Sequence, residues 1–124
     1  MGTVHRFEDL IAWQKARELT KRIYEATTRE GFARDYGLKG QIQKASVSVM
    51  SNIAEGYERG SRPEFHRFLF MAKGSCAEVR CQLYIAYDVG YLSEAEVSQL
   101  LESAEEVARV IGGLRASVAR GLED

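Results

Sequence analysis

At 124 residues, with 45% hydrophobic and 28% charged side chains, the chain has the make-up of one soluble globular domain spanning residues 1–124, able to bury a core without disulfides or metal. A formal net charge of -1 is not that of a strongly basic protein. No apolar run approaches a membrane span, and residues 1–9 lack the basic region and apolar core of a signal peptide, so no membrane and a cytoplasmic setting are expected.

The net charge hides an asymmetry. Residues 1–80 hold 14 Lys/Arg against 10 Asp/Glu, and residues 81–124 hold 3 against 8, so the two parts carry +4 and -5. Cys76 and Cys81 lie about 140° apart around a helix at 3.6 residues per turn, too far to bridge, and their spacing matches no zinc pattern; two small half-buried hydrophobes are expected.

The pattern predicts an all-α chain of four helices, over about 9–29, 36–59, 62–89 and 94–120, joined by short turns. The first starts at Asp9 as N-cap and turns inward Leu10, Trp13, Ala16, Leu19 or Thr20, Ile23 and Ala26 or Thr27. Its other face alternates in sign through Lys15, Glu18, Arg22, Glu25 and Arg29, the mark of a solvent face laced along its own helix. The pattern breaks around Gly31, and Asp35 is a candidate cap for the second helix.

That helix ends at Gly60, suited to a left-handed cap. Ser61, Pro63 and Glu64 then read as N-cap, first-turn proline and capping-box partner of the third helix. A connection this short makes the two helices antiparallel neighbours, and the whole an up-down-up-down four-helix bundle.

The third helix is the most apolar. Phe65, Leu69, Ala72, Cys76, Val79, Leu83 and Ala86 form a heptad-like seam, while Phe68, Phe70, Ala77, Tyr84, Ile85 and Tyr87 add apolar surface off it. One buried stripe does not need so much, so oligomerisation is expected. Gly90 stops this helix, and Ser93 with Glu96 forms a second capping box. The fourth helix buries a stripe from Val97 to Val118 and is acidic at Glu102, Glu105 and Glu106. Mid-helix glycines at Gly74, Gly112 and Gly113 are expected to admit close helix approach.

The chemistry of common bundle sites is missing. A di-metal centre needs Glu-x-x-His pairs, but neither His5 nor His66 has a Glu three residues before it. Haem and zinc lack ligands in the same way, so no cofactor is expected. The Gly74-Ser75-Cys76 run has no histidine spaced as its base, and no acid–base or nucleophile set assembles; a non-enzyme is expected. Ser48, Asn52, Glu55 and Arg59 line one face of the second helix, opposite Ser75 and Glu78 on the third. These polar stripes form a register-fixing network or subunit contact, or else a ligand or acid–base site at Glu55 and Glu78. Arg59, Arg62, Arg67 and Lys73 cluster near the turn between those helices.

These residues also carry a resemblance. The run from Phe7 to Ala16 with Trp13, then Leu38, Gln41 and Ile42, then Ser48-Val49 and Asn52-Ile53-Ala54-Glu55-Gly56-Tyr57, resembles the bacterial four-helix-bundle proteins encoded in 23S rRNA intervening sequences. So do Phe65, Arg67-Phe68-Leu69, the run from Ala72 to Glu78, and the Asp88, Gly90, Tyr91 turn. The resemblance implies a ring-like homopentamer. A more distant likeness, to the accessory proteins of diversity-generating retroelements, implies binding to nucleic acid and a reverse transcriptase. Two positions depart from the family pattern. Gly31-Phe32-Ala33 replaces a Phe-Pro, and Lys44 stands where Arg is usual, keeping charge without bidentate geometry.

The expected function is therefore a non-enzymatic oligomer binding RNA or DNA through a collar of Arg59, Arg62, Arg67, Lys44 and Lys73. A protein-interaction scaffold is the alternative.

Overall fold

The computed structural model describes residues 4–123, with side-chain surroundings to Gly121; residues 1–3, part of the N-terminal stretch read above, lie outside it. It is all-helical among the described residues. A single 3-10 turn, Phe7–Asp9, precedes α1 (Ile11–Ala26), α2 (Glu30–Arg34), α3 (Tyr36–Glu58), α4 (Arg62–Asp88) and α5 (Glu94–Glu123). α1 packs on α3 and α5, α3 on α4, and α4 on α5, around one contiguous apolar core. No helix among the described residues is long and apolar enough to cross a membrane.

The four long helices match the sequence pattern, and their ends differ for local reasons. Asp9 does not cap α1. Its carboxylate accepts from the His5 backbone N–H at 3.2 Å and closes the 3-10 turn, leaving Leu10 as an N-cap with no side-chain bond. α1 also stops three residues short of Arg29. The Thr27 and Thr28 hydroxyls donate to Tyr24 O and Glu25 O at 2.8 and 2.7 Å, taking carbonyls exposed at the helix end. The chain then makes α2, which the sequence pattern did not reveal, held by Phe32 stacked on Tyr91 with ring centroids 5.4 Å apart. Asp35 caps α3 as expected, accepting from Leu38 N–H at 3.0 Å.

Gly60 and Gly90 adopt φ of +77° and +85°, the left-handed conformation that ends α3 and α4. Ser93 and Glu96 form a full capping box: Glu96 N–H donates to Ser93 Oγ at 3.1 Å, and Ser93 N–H to Glu96 Oε1 at 2.9 Å. The box at Ser61 is only half made. Glu64 N–H reaches Ser61 Oγ at 3.3 Å, but the Glu64 carboxylate is drawn to Arg59 and Arg67 instead.

The heptad-like seam of α4 is buried from Leu69 to Ala86, with Phe65 partly buried at its start. In α1 and at its two caps, Leu10, Ala16, Leu19, Thr20, Ile23 and Thr27 are all inside, while Trp13 and Ala26 are partly buried against the core. The charged face of α1 is not laced along itself. Lys15 Nζ donates to Glu106 Oε1 at 2.6 Å, Arg22 bonds Ser103, and Arg29 pairs with Glu96, so these side chains stitch α1 to α5. The cysteines differ from the half-buried expectation in opposite senses: Cys76 is buried and Cys81 exposed.

Candidate interaction surface on α3 and α4

Gly56 sets the spacing of this surface. A Cβ there would lie 2.5 Å from Phe68 Cβ, so only glycine lets α4 come this close to α3. The close approach expected at Gly74, Gly112 and Gly113 does not occur within the chain. Nothing lies within 4 Å of a Cβ built at Gly74 or Gly113, and at Gly112 the neighbour is the Lys73 ammonium at 4.0 Å. Periodicity could not separate these cases, because a glycine's role depends on the face it occupies.

Above Gly56, polar side chains join the two helices. Ser48 Oγ and Ser75 Oγ are 2.9 Å apart, and Asn52 Nδ2 donates to Ser48 O and Oγ at 2.9 and 3.0 Å. Ser48 and Asn52 are half-buried and Ser75 is buried, so this part of the stripe forms the expected inter-helix network. The carboxylates do not join it. Glu55 is exposed and accepts from Arg59 Nη2 at 2.7 Å; Glu78 is exposed and forms no hydrogen bond or ion pair among the described residues. The structure thus places Glu55 with the arginines and brings Glu78 to neither group.

Below Gly56, two arginines cover one ring. Phe68 is 4% exposed yet lies outside the main core cluster. The Arg59 and Arg67 guanidinium carbons lie 4.8 and 4.6 Å from its ring centroid, within cation–π range. Glu64 links the two arginines, accepting from Arg67 Nε at 2.8 Å and Arg59 Nη1 at 3.4 Å. The Arg67 hydrogen bond, more than any other contact, holds the Glu64 carboxyl below its ordinary range, and Glu64 raises Arg67 in return. These two arginines therefore come with two carboxylates, Glu55 and Glu64.

The remaining collar residues are dispersed. Arg62 lies across α5, where a Cβ at Gly121 would fall on its guanidinium. Lys73 points toward Gly112 of α5, and Lys44 is exposed farther along α3, away from the Phe68 cluster. Two cations that sequence reasoning missed belong with Lys73: Arg80 and Arg115 line the same α4–α5 groove. Lys73 and Arg80 lie seven apart on one face of α4, a spacing that could have joined them, but no sequence signal adds Arg115 from α5.

Ser75 and Cys76 do not form a nucleophile. The Ser75 hydroxyl is committed to Ser48 and to Met71 O at 3.3 Å, and burial pushes the Cys76 thiol up to about 12, so it stays protonated at neutral pH. The described residues contain no cluster of three or more His, Cys, Asp or Glu side chains placed to hold a metal. The outward face of α4 is apolar: Phe70 is 60% exposed, Tyr84 51% and Ile85 43%, with Met71, Tyr87 and Val89 also open.

Fold and surface together define a small all-helical bundle protein. The family model of the 23S rRNA-intervening sequence protein matches residues 8–113, and the chain belongs to that family. A similar solved structure is a protein of unknown function from the S23 ribosomal protein family of Bacteroides thetaiotaomicron. It is 19% identical, covers 85% of this chain and 98% of its own, and superposes with a TM-score of 0.77, a likeness of fold. No curated protein matches the chain. The Asn52–Gly56 run that the sequence resemblance rested on has a structural explanation: Asn52 bonds Ser48, Ile53 is core, Glu55 holds Arg59, and Gly56 admits Phe68.

Proposed function

We propose that this chain acts as a non-enzymatic homo-oligomer that binds RNA or DNA. Its bundle is antiparallel and up-down-up-down, its working form is a ring of five copies, and its setting is the cytoplasm. The observation that carries assembly is the outward face of α4, where Tyr84, Ile85, Tyr87 and Val89 are exposed in one run. An apolar surface of this kind is expected to be covered by another copy. The family resemblance supplies the order of five. The antiparallel reading is supported by Ser48 with Ser75, Gly56 with Phe68, and Tyr57 with Phe65, pairs that converge on the α3–α4 turn.

Nucleic-acid binding draws support from Arg62 and Lys73, which have no carboxylate partner among the described residues. A ring would repeat these charges at one rim, where several phosphates could be held at once. The pairing of Arg59 and Arg67 with Glu55 and Glu64 favours the second reading, a scaffold for a protein partner such as a reverse transcriptase. One experiment separates them: a salt titration of RNA binding, with the mass measured by light scattering in the same buffers. The first reading expects a mass five times 13.9 kDa and log affinity falling linearly with log salt. An assembled ring with no binding near physiological salt would favour the scaffold.

A further inference from the structure

We infer that the groove between α4 and α5 is a track for single-stranded nucleic acid, with Lys73, Arg80 and Arg115 holding phosphates and Phe70 stacking a base. This inference rests on the nucleic-acid reading above and moves its site from the α3–α4 turn to a different face. The groove encloses about 400 Å³ over a floor of Gly74, Ala77 and Ala108. Among the described residues, the one ion pair its three cations make is that of Arg80 Nη2 with Glu105, a long one at 3.7 Å. At the turn, by contrast, Arg59 and Arg67 are matched by Glu55 and Glu64.

Two donors in the groove lack acceptors. The Nε atoms of Arg80 and Arg115 are both sealed from solvent without a hydrogen-bond partner. A buried, unmatched N–H is destabilising, so the groove is short of acceptor oxygens. A phosphodiester entering the groove brings acceptor oxygens to the open edge of the guanidinium groups, the Arg80 side chain being 41% exposed, in the planar two-oxygen geometry they bind best. Phe70 adds the second half of the site. Arg115 lies over its ring at 4.8 Å, yet the side chain is 60% exposed, leaving ring surface for a base.

The lining contains no Asn, Gln, Ser or Thr to read a base edge. Binding should therefore tolerate any sequence and accept RNA and DNA alike. Lys73 lies about 18 Å along the helix axis from Ile85 and Arg80 about 6 Å from Tyr84, at 1.5 Å per residue, so a copy seated on Tyr84–Val89 leaves the Lys73 end of the track clear and borders it at Arg80.

The test is fluorescence anisotropy of the whole protein with labelled polyuridylate and polydeoxythymidylate strands across a salt series. In Arg80→Gln/Arg115→Gln the slope of log affinity against log salt should fall by about 1.4, at roughly 0.7 per lost phosphate contact in a single strand. Lys73→Gln, an exposed site that leaves packing intact, should lower it by about 0.7. Phe70→Ala should weaken binding about tenfold with the slope unchanged. Arg59→Gln/Arg67→Gln should leave the slope near wild type. If wild type binds and only the Arg59/Arg67 variant loses slope, the groove assignment is overturned while the nucleic-acid reading stands. Salt-insensitive or absent binding by the wild type at low salt overturns both.

Discussion

α4 changes character near Arg80. From Arg62 to Arg80 it carries four of the chain's 17 cations, and its outward aromatic, Phe70, lies beneath an arginine. From Cys81 to Asp88 it has no cation at all, and Tyr84, Ile85 and Tyr87 stand open. The inward seam runs through both halves without a break, from Leu69 to Ala86. One helix thus carries one core stripe and two different outer faces. The seam holds the fold, while the outer faces differ: cations around Phe70 and Met71 at one end, apolar area without cations at the other. Off-seam residues are where the helix exceeds the needs of its own bundle.

The largest expected effect breaks the apolar half. Tyr84→Glu with Ile85→Glu should reduce the light-scattering mass to that of the 13.9 kDa monomer while helical circular dichroism persists, because neither side chain belongs to the core. A variant that remains fully assembled would refute this interface.

In the charged half, Phe68→Ala should cost about 3 kcal/mol in urea unfolding, by removing the ring under Arg59 and Arg67. A loss below ~1 kcal/mol would mean that the ring is held in place by the arginines without contributing packing. Gly56→Ala acts at the same contact from the α3 side and should cost about 1–3 kcal/mol, as overpacking does. Ser61→Ala, which removes the side-chain cap at the charged end of α4, should cost about 1 kcal/mol.

The smallest effect sits beyond the apolar end. Tyr91 OH donates to Asp35 Oδ2 at 2.9 Å. The Leu38 N–H, followed by Tyr91, holds the Asp35 carboxyl below its ordinary 3.8, so its stabilising contribution is complete above that pH and is lost as pH falls through the lower folded value. Tyr91 is raised above its ordinary 10.0 by Asp35, so its contribution is complete below that pH and is lost as pH rises through the folded value. Tyr91→Phe should remove the alkaline loss and weaken the acid one; melting temperatures at both extremes check this.

The long helices were legible because apolar periodicity and punctuation agree: Asp35, Gly60, Ser61, Gly90 and Ser93 each mark a boundary that the structure keeps. α2 was not legible. Its five residues are too few to show a period, and Phe32 is fixed by Tyr91, far off in sequence. Asp9 and the Ser61 box misled because a carboxylate with several local donors takes the best of them, the His5 N–H for Asp9 and the Arg67 guanidinium for Glu64. The charged face of α1 read as solvent for a similar reason: its partners Ser103, Glu96 and Glu106 lie on α5. Of the site residues, the Ser48–Asn52–Ser75 network followed from helical spacing. The neutralised arginines at the turn follow the same spacing, Arg59 four residues after Glu55 and Arg67 three after Glu64, whereas the meeting of Arg80 with Arg115 in the groove depends on inter-helix geometry.

The order in which α1 finds its neighbours has a consequence for synthesis. α1 is made before α3 and α5, yet it packs on both. Its stitches to Glu96, Ser103 and Glu106 have no partners until that part of the chain emerges. Leu19 and Ile23 must therefore wait, part-covered by α3, while more than half of the protein is still being translated. A nascent chain halted before α5 should be the form most prone to aggregate or to recruit a chaperone, and release of α5 the step that closes the bundle.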